Sequence, residues 1–158
     1  VLPHEGAAAL DGVRAEDVPP ARWRRQVGML PAEPQWWAER VGAHFREVDE
    51  ALLAGLGFDP GVLDWSVARC STGERQRLAR QRLLPNRPRC LLLDEPTASL
   101  DPDSTRRVED LIADYRRAEG APVLWVTHDR EQTARVADRT CILGPDGLEE
   151  ATPSTSSS

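Results

Sequence analysis

The sequence predicts an α/β domain: a parallel sheet whose strands alternate with helices, and a small helical subdomain inserted in it. Three observations predict this. The apolar runs CLLLD, Cys90–Asp94, and VLWV, Val123–Val126, are separated by a long segment of helical periodicity, as parallel strands joined by a crossover helix require. The first run delivers two adjacent carboxylates, Asp94 and Glu95, to its end, and open α/β sheets keep their ligands at the carboxyl ends of their strands. Between about residues 36 and 70 the alternation gives way to short amphipathic stretches, which reads as an insert.

Along the chain, VLPHEGAAALDG reads as the end of a helix, a loop, then a short strand and turn, so the chain is expected to begin within a domain. RRQVGML, 24–30, is a short strand stopped by Pro31, and the following PAEPQWW is a loop. In the insert, Trp37, Val41 and Phe45 recur at fourfold spacing, followed by Val48, Leu52 and Leu56, which predicts short helices to about Phe58. DPGVLDWSVARC is expected to be a loop with one tight turn. STGERQRLARQRLL, 71–84, has the leucines and charge density of a helix, with Arg75, Arg77, Arg80 and Arg82 on a solvated face. STRRVEDLIADYRRAEG forms another helix with Val108, Leu111, Ile112 and Tyr115 on one face and Gly120 at its end. VLWVTH is a strand, EQTARVAD a helix, and TCIL a further strand ending in the turn 144–147, so the alternation predicts parallel pairing throughout. The closing ATPSTSSS, 151–158, has nothing to bury and is expected to be disordered.

A length of 158 residues suits one domain or part of one. With 40% apolar and 29% charged residues the composition is that of a soluble globular chain, and no apolar run approaches the roughly 20 residues of a membrane helix. The net charge of -6, with arginine as the sole basic side chain, argues against a broad nucleic-acid surface, and no nucleic-acid partner is expected. Cys70, Cys90 and Cys141 are odd in number and far apart, so neither a disulfide framework nor a zinc site is expected. That usage, with no segment reading as a secretory leader, points to the reducing cytoplasm.

Two constellations carry chemistry. Ser71 and Glu74 match the S-x-x-E capping box that satisfies the free amides of a helix start. The same geometry makes an anion site, because Ser71, Thr72 and Gly73 aim amides and a hydroxyl along the positive end of the helix, and Gly73 lets a phosphate approach the backbone. Both readings stand. Asp94 and Glu95 alone describe a strand entering a turn at Pro96 and Thr97, and His128 alone describes a polar cap on a strand end. Jointly, strands in one sheet would bring Glu95 and His128 to one edge, where a γ-phosphate and its attacking water fit between them and Asp94 awaits a magnesium ion. Such chemistry normally also uses a lysine in a glycine-rich loop, and the sequence contains no lysine.

In this order, from about residue 1 to residue 151, these residues resemble the ATP-binding subunit of ABC transporters, a P-loop NTPase-like fold. CSTGERQRLARQRL is similar to the family's signature segment, L-S-G-G-Q, keeping Ser71 and Gly73 and departing at Cys70, Thr72 and Glu74. LLLDEP resembles the Walker B strand, which implies that Asp94 holds magnesium through water and that Glu95 polarises the attacking water. ASLD resembles the D-loop, which implies a place for Asp101 at a dimer interface, and VTHD implies that His128 contacts the γ-phosphate. VGMLPAEP resembles the strand entering the Q-loop, with Ala32 where the family has glutamine. No segment resembles the Walker A loop, G-x-x-x-x-G-K-[ST]. In the family that loop precedes the segment resembling VLPHEGAAALDG, so the chain is expected to be cut at its amino end, leaving an unpaired sheet edge and bare apolar faces.

The resemblance implies ATP and Mg2+ as cofactors and a second ATP-binding subunit, identical or different, since the family sandwiches ATP between one subunit's Walker A and the other's signature helix. It also implies a membrane permease that meets the helical subdomain near Trp36 and Trp37, although both tryptophans equally read as packing that subdomain against the sheet. The expected protein is an ATP-hydrolysing transporter subunit, cytoplasmic and peripheral on the inner face of the cell membrane. Residues 1–150 would be a partial ABC ATPase domain, inactive alone. One rival is a soluble ABC-type ATPase of DNA repair or translation, against which the short insert without heptads argues. Another is a non-catalytic subunit lending its signature helix to an intact partner, against which Glu95 and His128 argue.

Overall fold

The computed structural model describes residues 6–98, 100–145 and 147–151. The readings placed on residues 1–5, on the tail 152–158, on Ser99 of ASLD and on Asp146 of the 144–147 turn therefore lie outside the described residues. The chain divides into two compact units, Val1–Val126 and Thr127–Ser158.

The first unit opens with a hairpin of β1 (Ala9–Leu10) and β2 (Val13–Arg14). Its two-residue turn puts Asp11 and Gly12 at φ of 50° and 77°, the left-handed pair that Asp-Gly favours. Helix α1 (Pro20–Gln26) starts on a proline, whose fixed φ suits a first turn, and leads directly into β3 (Val27–Leu30). The strand expected over 24–30 is thus helical in its first three residues: Val27 is the helix C-cap, its amide bonded to the carbonyl of Trp23. Then come α2 (Glu50–Gly55), α3 (Thr72–Leu83), β4 (Cys90–Asp94), α4 (Pro102–Glu119) and β5 (Val123–Val126). Gly120, at φ 64°, closes α4 in the left-handed conformation expected of it.

Strands β3, β4 and β5 form a parallel sheet with β4 central, Leu30 opposite Leu93 and Asp94 opposite Val126. One face carries Leu30, Leu91 and Leu93 into a core with Ala79 of α3 and Val108 and Ile112 of α4. Full burial of each such leucine contributes about 2 kcal/mol. The approach is close: a Cβ on Gly28 would stand 2.7 Å from Leu83 Cδ1 and 2.8 Å from Pro88 Cγ, so only glycine lets β3 pack there. The opposite face is bare. Met29 and Leu124 are 59% and 61% exposed, and with Val126 and Leu92 they line a shallow depression that ends at Asp94.

The helical subdomain has its own core of Val41, Leu53, Leu56, Phe58, Val62 and Leu78. It contains less α-helix than the periodicity predicts. Over 37–49 the only helical stretch is the 3-10 turn Val41–His44, because the chain there pairs with 65–67 instead: Val41 N donates to Trp65 O at 3.0 Å and Val67 N to Glu39 O at 2.8 Å. Conversely, the expected loop holds two 3-10 turns, Pro60–Asp64 and Val67–Arg69.

In the second unit, α5 (Arg130–Val136) is followed by a hairpin of β6 (Cys141–Gly144) and β7 (Gly147–Glu150). The expected third parallel strand is therefore an antiparallel one, with Gly144 opposite Gly147. A tight turn returns the chain beside the strand it has just left, and such neighbours can only pair antiparallel.

Candidate functional site

The sheet delivers Asp94 and Glu95 to its carboxyl edge as expected. Asp94 ends β4 on the bare face, because Leu91 and Leu93 take the inward positions and the period of two turns Leu92 and Asp94 the other way. Glu95 then breaks the strand with φ 46°, a left-handed conformation that a branched or long side chain adopts at a cost. Its amide donates to Val126 O at 3.0 Å, and its carbonyl accepts from Ala98 N at 3.1 Å, so the turn after β4 is fixed on both sides. A non-glycine residue held in this region is a recurrent mark of functional sites.

Helix α3 carries the second constellation. Ser71 is its N-cap, and the capping box is complete: Glu74 N donates to Ser71 Oγ at 3.2 Å and Ser71 N to Glu74 Oε2 at 2.7 Å. The amide of Ser71 holds the Glu74 carboxyl below its usual range. Capping is thus the observed role of both side chains, while Thr72 and Gly73 begin the helix, where amides have no partner inside it.

The expectation that Arg75, Arg77, Arg80 and Arg82 solvate an open face fails at Arg80, which is buried, whereas the other three are half-buried. Neighbouring Leu78 and Ala79 enter different cores, so α3 is packed on two sides and its polar residues Gln76, Arg80 and Gln81 are buried. Arg80 is 1% exposed and its Nη2 donates to the carbonyl of Pro96, directly after Glu95. Burial, and then Arg77, push its pKa down to about 10, so it stays a cation at neutral pH. Gln76 donates to Ala32 O beyond β3, Gln81 to Asp49 O at 3.1 Å, and Arg82 to Gln35 O at 2.8 Å. Arg77 lies over Phe58, its carbon 4.9 Å from the ring centroid.

Sequence reasoning also missed His44. Its Nε2 accepts from the amides of Trp37 and Ala38, each at 3.0 Å, which leaves the proton on Nδ1 facing the Arg40 carbonyl at 3.1 Å. The signal was weak, since one histidine in an amphipathic stretch resembles any surface residue. The two tryptophans part company around it. Trp36 packs against both cores, whereas Trp37 is 69% exposed, with Arg82 over its ring at 5.0 Å.

Asp101 is the N-cap of α4, accepting from Ser104 N at 2.9 Å, and bonds from Ser104 hold its carboxyl below the ordinary value. His128 belongs to the second unit. It is exposed and directly precedes Asp129, which caps α5 by accepting from Gln132 N at 3.0 Å.

The donor set at the edge of β4 fits magnesium, a hard cation that takes one or two carboxylates and completes its shell with water and phosphate oxygens. Among the described residues no group of three or more His, Cys, Asp or Glu forms a cage for a metal. The leading end of α3, where the Thr72 and Gly73 amides have no partner inside the helix, has the polarity that favours an anion.

The parallel sheet flanked by helices, with its helical insert, is a P-loop NTPase-like α/β fold. The family model described as "ABC transporter" matches residues 1–98, and the chain belongs to that family. It is 34% identical over 153 residues to ABC transporter I family member 17 of Arabidopsis thaliana, covering 89% of this chain and 58% of that protein. It is 38% identical over 149 residues to the phosphate import ATP-binding protein PstB of Mycobacterium intracellulare, covering 83% and 52%. Among solved structures, a dimeric post-hydrolysis state of the ATP-binding cassette MJ0796, bound to ADP and Pi, superposes with a TM-score of 0.70 at 22% identity, covering 85% of this chain and 67% of that one. The chain spans about half the length of the curated relatives it matches. Among the described residues, no helix is long and apolar enough to cross a membrane.

Proposed function

We propose that this chain forms part of the ATP-hydrolysing subunit of a transporter, working against a second such subunit and a membrane permease on the cytoplasmic face. The observation that carries the reading is the Asp94–Glu95 pair at the carboxyl end of the central strand, with Glu95 turned out of the ladder at φ 46°, in a member of the ABC transporter family. Magnesium, when bound, neutralises charge on the phosphate oxygens. Asp94 would be the residue that holds that ion. Glu95 accepts a proton from the attacking water and orients it, and His128 donates to the γ-phosphate. Ser71, Thr72 and Gly73 offer amides to the nucleotide held by the opposite subunit, and Asp101 lies at the boundary between the two. The exposed ring of Trp37 is the anchor offered to the permease.

These 158 residues contain no lysine, so arginine is the permanently charged cation that they offer to phosphate. By itself the chain is expected to bind ATP weakly and to hydrolyse none. The test is phosphate release from the assembled transporter, with and without Mg2+, for the wild type and Glu95→Gln. Turnover that is magnesium-dependent and lost in Glu95→Gln, with nucleotide still bound, supports the reading. Undiminished turnover in Glu95→Gln sinks it, whereas hydrolysis by the purified chain free of contaminants overturns only the expectation that the chain is inactive alone.

A further inference from the structure

Arg80 is the most deeply buried charged side chain in α3, and a buried cation is retained at a cost unless its contacts are used. Its Nε and Nη1 have no hydrogen-bond partner among the described residues, so the guanidinium is poorly repaid as a stabilising group. The hydrogen bond that its Nη2 makes is directed, running to the carbonyl of Pro96. Pro96 is itself buried and follows Glu95, and the same turn is closed by Ala98 N to Glu95 O at 3.1 Å and Leu100 N to Thr97 O at 3.2 Å. Four residues earlier on α3, one turn away, Gln76 grips the Ala32 carbonyl in the loop after β3. Two enclosed polar side chains of one helix thus hold the backbone leaving two adjacent parallel strands.

We infer that Arg80 is a positioning residue: by clamping the Pro96 carbonyl it sets the turn from which Glu95 projects, and it ties that turn to the helix whose leading end carries Ser71, Thr72 and Gly73. The inference deepens the proposed ATPase reading and rests on it for the chemistry, though not for the geometry. A group held at the start of α3 thereby acts along a rigid helix on the carboxylate of the same chain. Ser71 and Arg80 are separated by roughly 13 Å of helix axis, at about 1.5 Å per residue, a distance that a rod spans and a loop does not.

The test compares Arg80→Met, which fills the volume without a donor, with Arg80→Lys, which keeps one. Hydrogen exchange of the Ala98 and Leu100 amides is read on the chain, and kcat and KM for ATP on the assembled transporter. In Arg80→Met those two amides are expected to exchange at least about tenfold faster while the α4 amides stay unchanged. The same variant should lose about tenfold or more in kcat with KM unmoved, and Arg80→Lys should recover part of both. A purely structural arginine would leave kcat intact, because a methionine in its place keeps the packing and removes an unpaired charge. Unchanged exchange in Arg80→Met overturns the inference, and so does faster exchange with unchanged kcat. If the wild-type transporter itself shows no turnover, the ATPase reading fails and the exchange measurement alone decides whether Arg80 holds the turn.

Discussion

The amide of Glu95 donates to the carbonyl of Val126 at 3.0 Å, one residue past the last paired position of the β4–β5 ladder. The bond carries the sheet one step beyond its regular end and holds the carboxylate-bearing residue in a left-handed conformation at φ 46°. Asparagine enters that region more readily than glutamate, since its short amide bonds locally. Glu95→Asn is therefore expected to raise the unfolding free energy by about 0.5–1 kcal/mol while abolishing hydrolysis. Urea denaturation of the two chains measures it, and a loss of stability would show that the turn stores no strain.

The capping box makes a second prediction, with a pH signature. Ser71→Ala should cost about 1 kcal/mol by freeing helix-start amides. Glu74 titrates below its ordinary value in the folded chain because the Ser71 amide, and then the Ser71 side chain, bond its charged form. A lowered folded pKa contributes stability that is complete above the unfolded value and disappears as pH falls through the folded one. Glu74→Gln keeps the box, since glutamine accepts the same bond, but removes that titration. The difference in stability between wild type and Glu74→Gln should be flat from about pH 6 to 8 and shift against the wild type only in acid, below the usual carboxylate range. A difference drifting through neutrality would point to another group.

The sequence made the long, strongly patterned elements legible: α3 with its Ser71 cap, β4 with its acids, and α4 with the Val108 and Ile112 face. Each is specified by local chemistry that packing then confirms. It misled where tertiary contacts outvote local pattern. The 37–45 stretch has helical spacing, but bridging to 65–67 wins. TCIL has the look of another parallel strand, but the turn after it makes a hairpin. The arginines of α3 read as solvated because charge usually is. Arg80 is buried because α3 is pressed between two cores, a fact of assembly that no single helix encodes. Asp94 and Glu95 were visible as a pair, whereas the backbone twist at Glu95 and its anchors at Val126 and Arg80 were not.

His44 should prove structural. Its Nε2 is the acceptor for two amides at the start of the helical subdomain, and Trp36 and Trp37 both stand edge-on to its ring at centroid distances of 4.7 Å. His44→Ala strands those amides and opens a cavity, for an expected loss of about 2–4 kcal/mol. His44→Asn, which can still accept, should lose less. Unfolding followed by tryptophan fluorescence checks both, and a cost below about 1 kcal/mol for the alanine variant would mean that other acceptors replace Nε2.

The neighbouring tryptophans then separate packing from recognition. Trp36 is partly buried against both cores, with Arg82 5.2 Å above it, and its indole nitrogen is enclosed. Trp36→Ala should cost about 3 kcal/mol or more and loosen the subdomain from the sheet. Trp37 spends most of its ring in water, with Arg82 over one side and His44 edge-on to it, so Trp37→Ala should cost about 1 kcal/mol or less. An exposed indole beside a half-buried arginine is the composition of an interface hot spot, and removing it should weaken co-purification with the permease by about tenfold while sparing the fold. Chemical unfolding and permease pull-down, run on both variants, separate the two roles. Equal stability losses would make Trp37 a packing residue like its neighbour, and an unchanged pull-down for Trp37→Ala would remove this face from the permease contact.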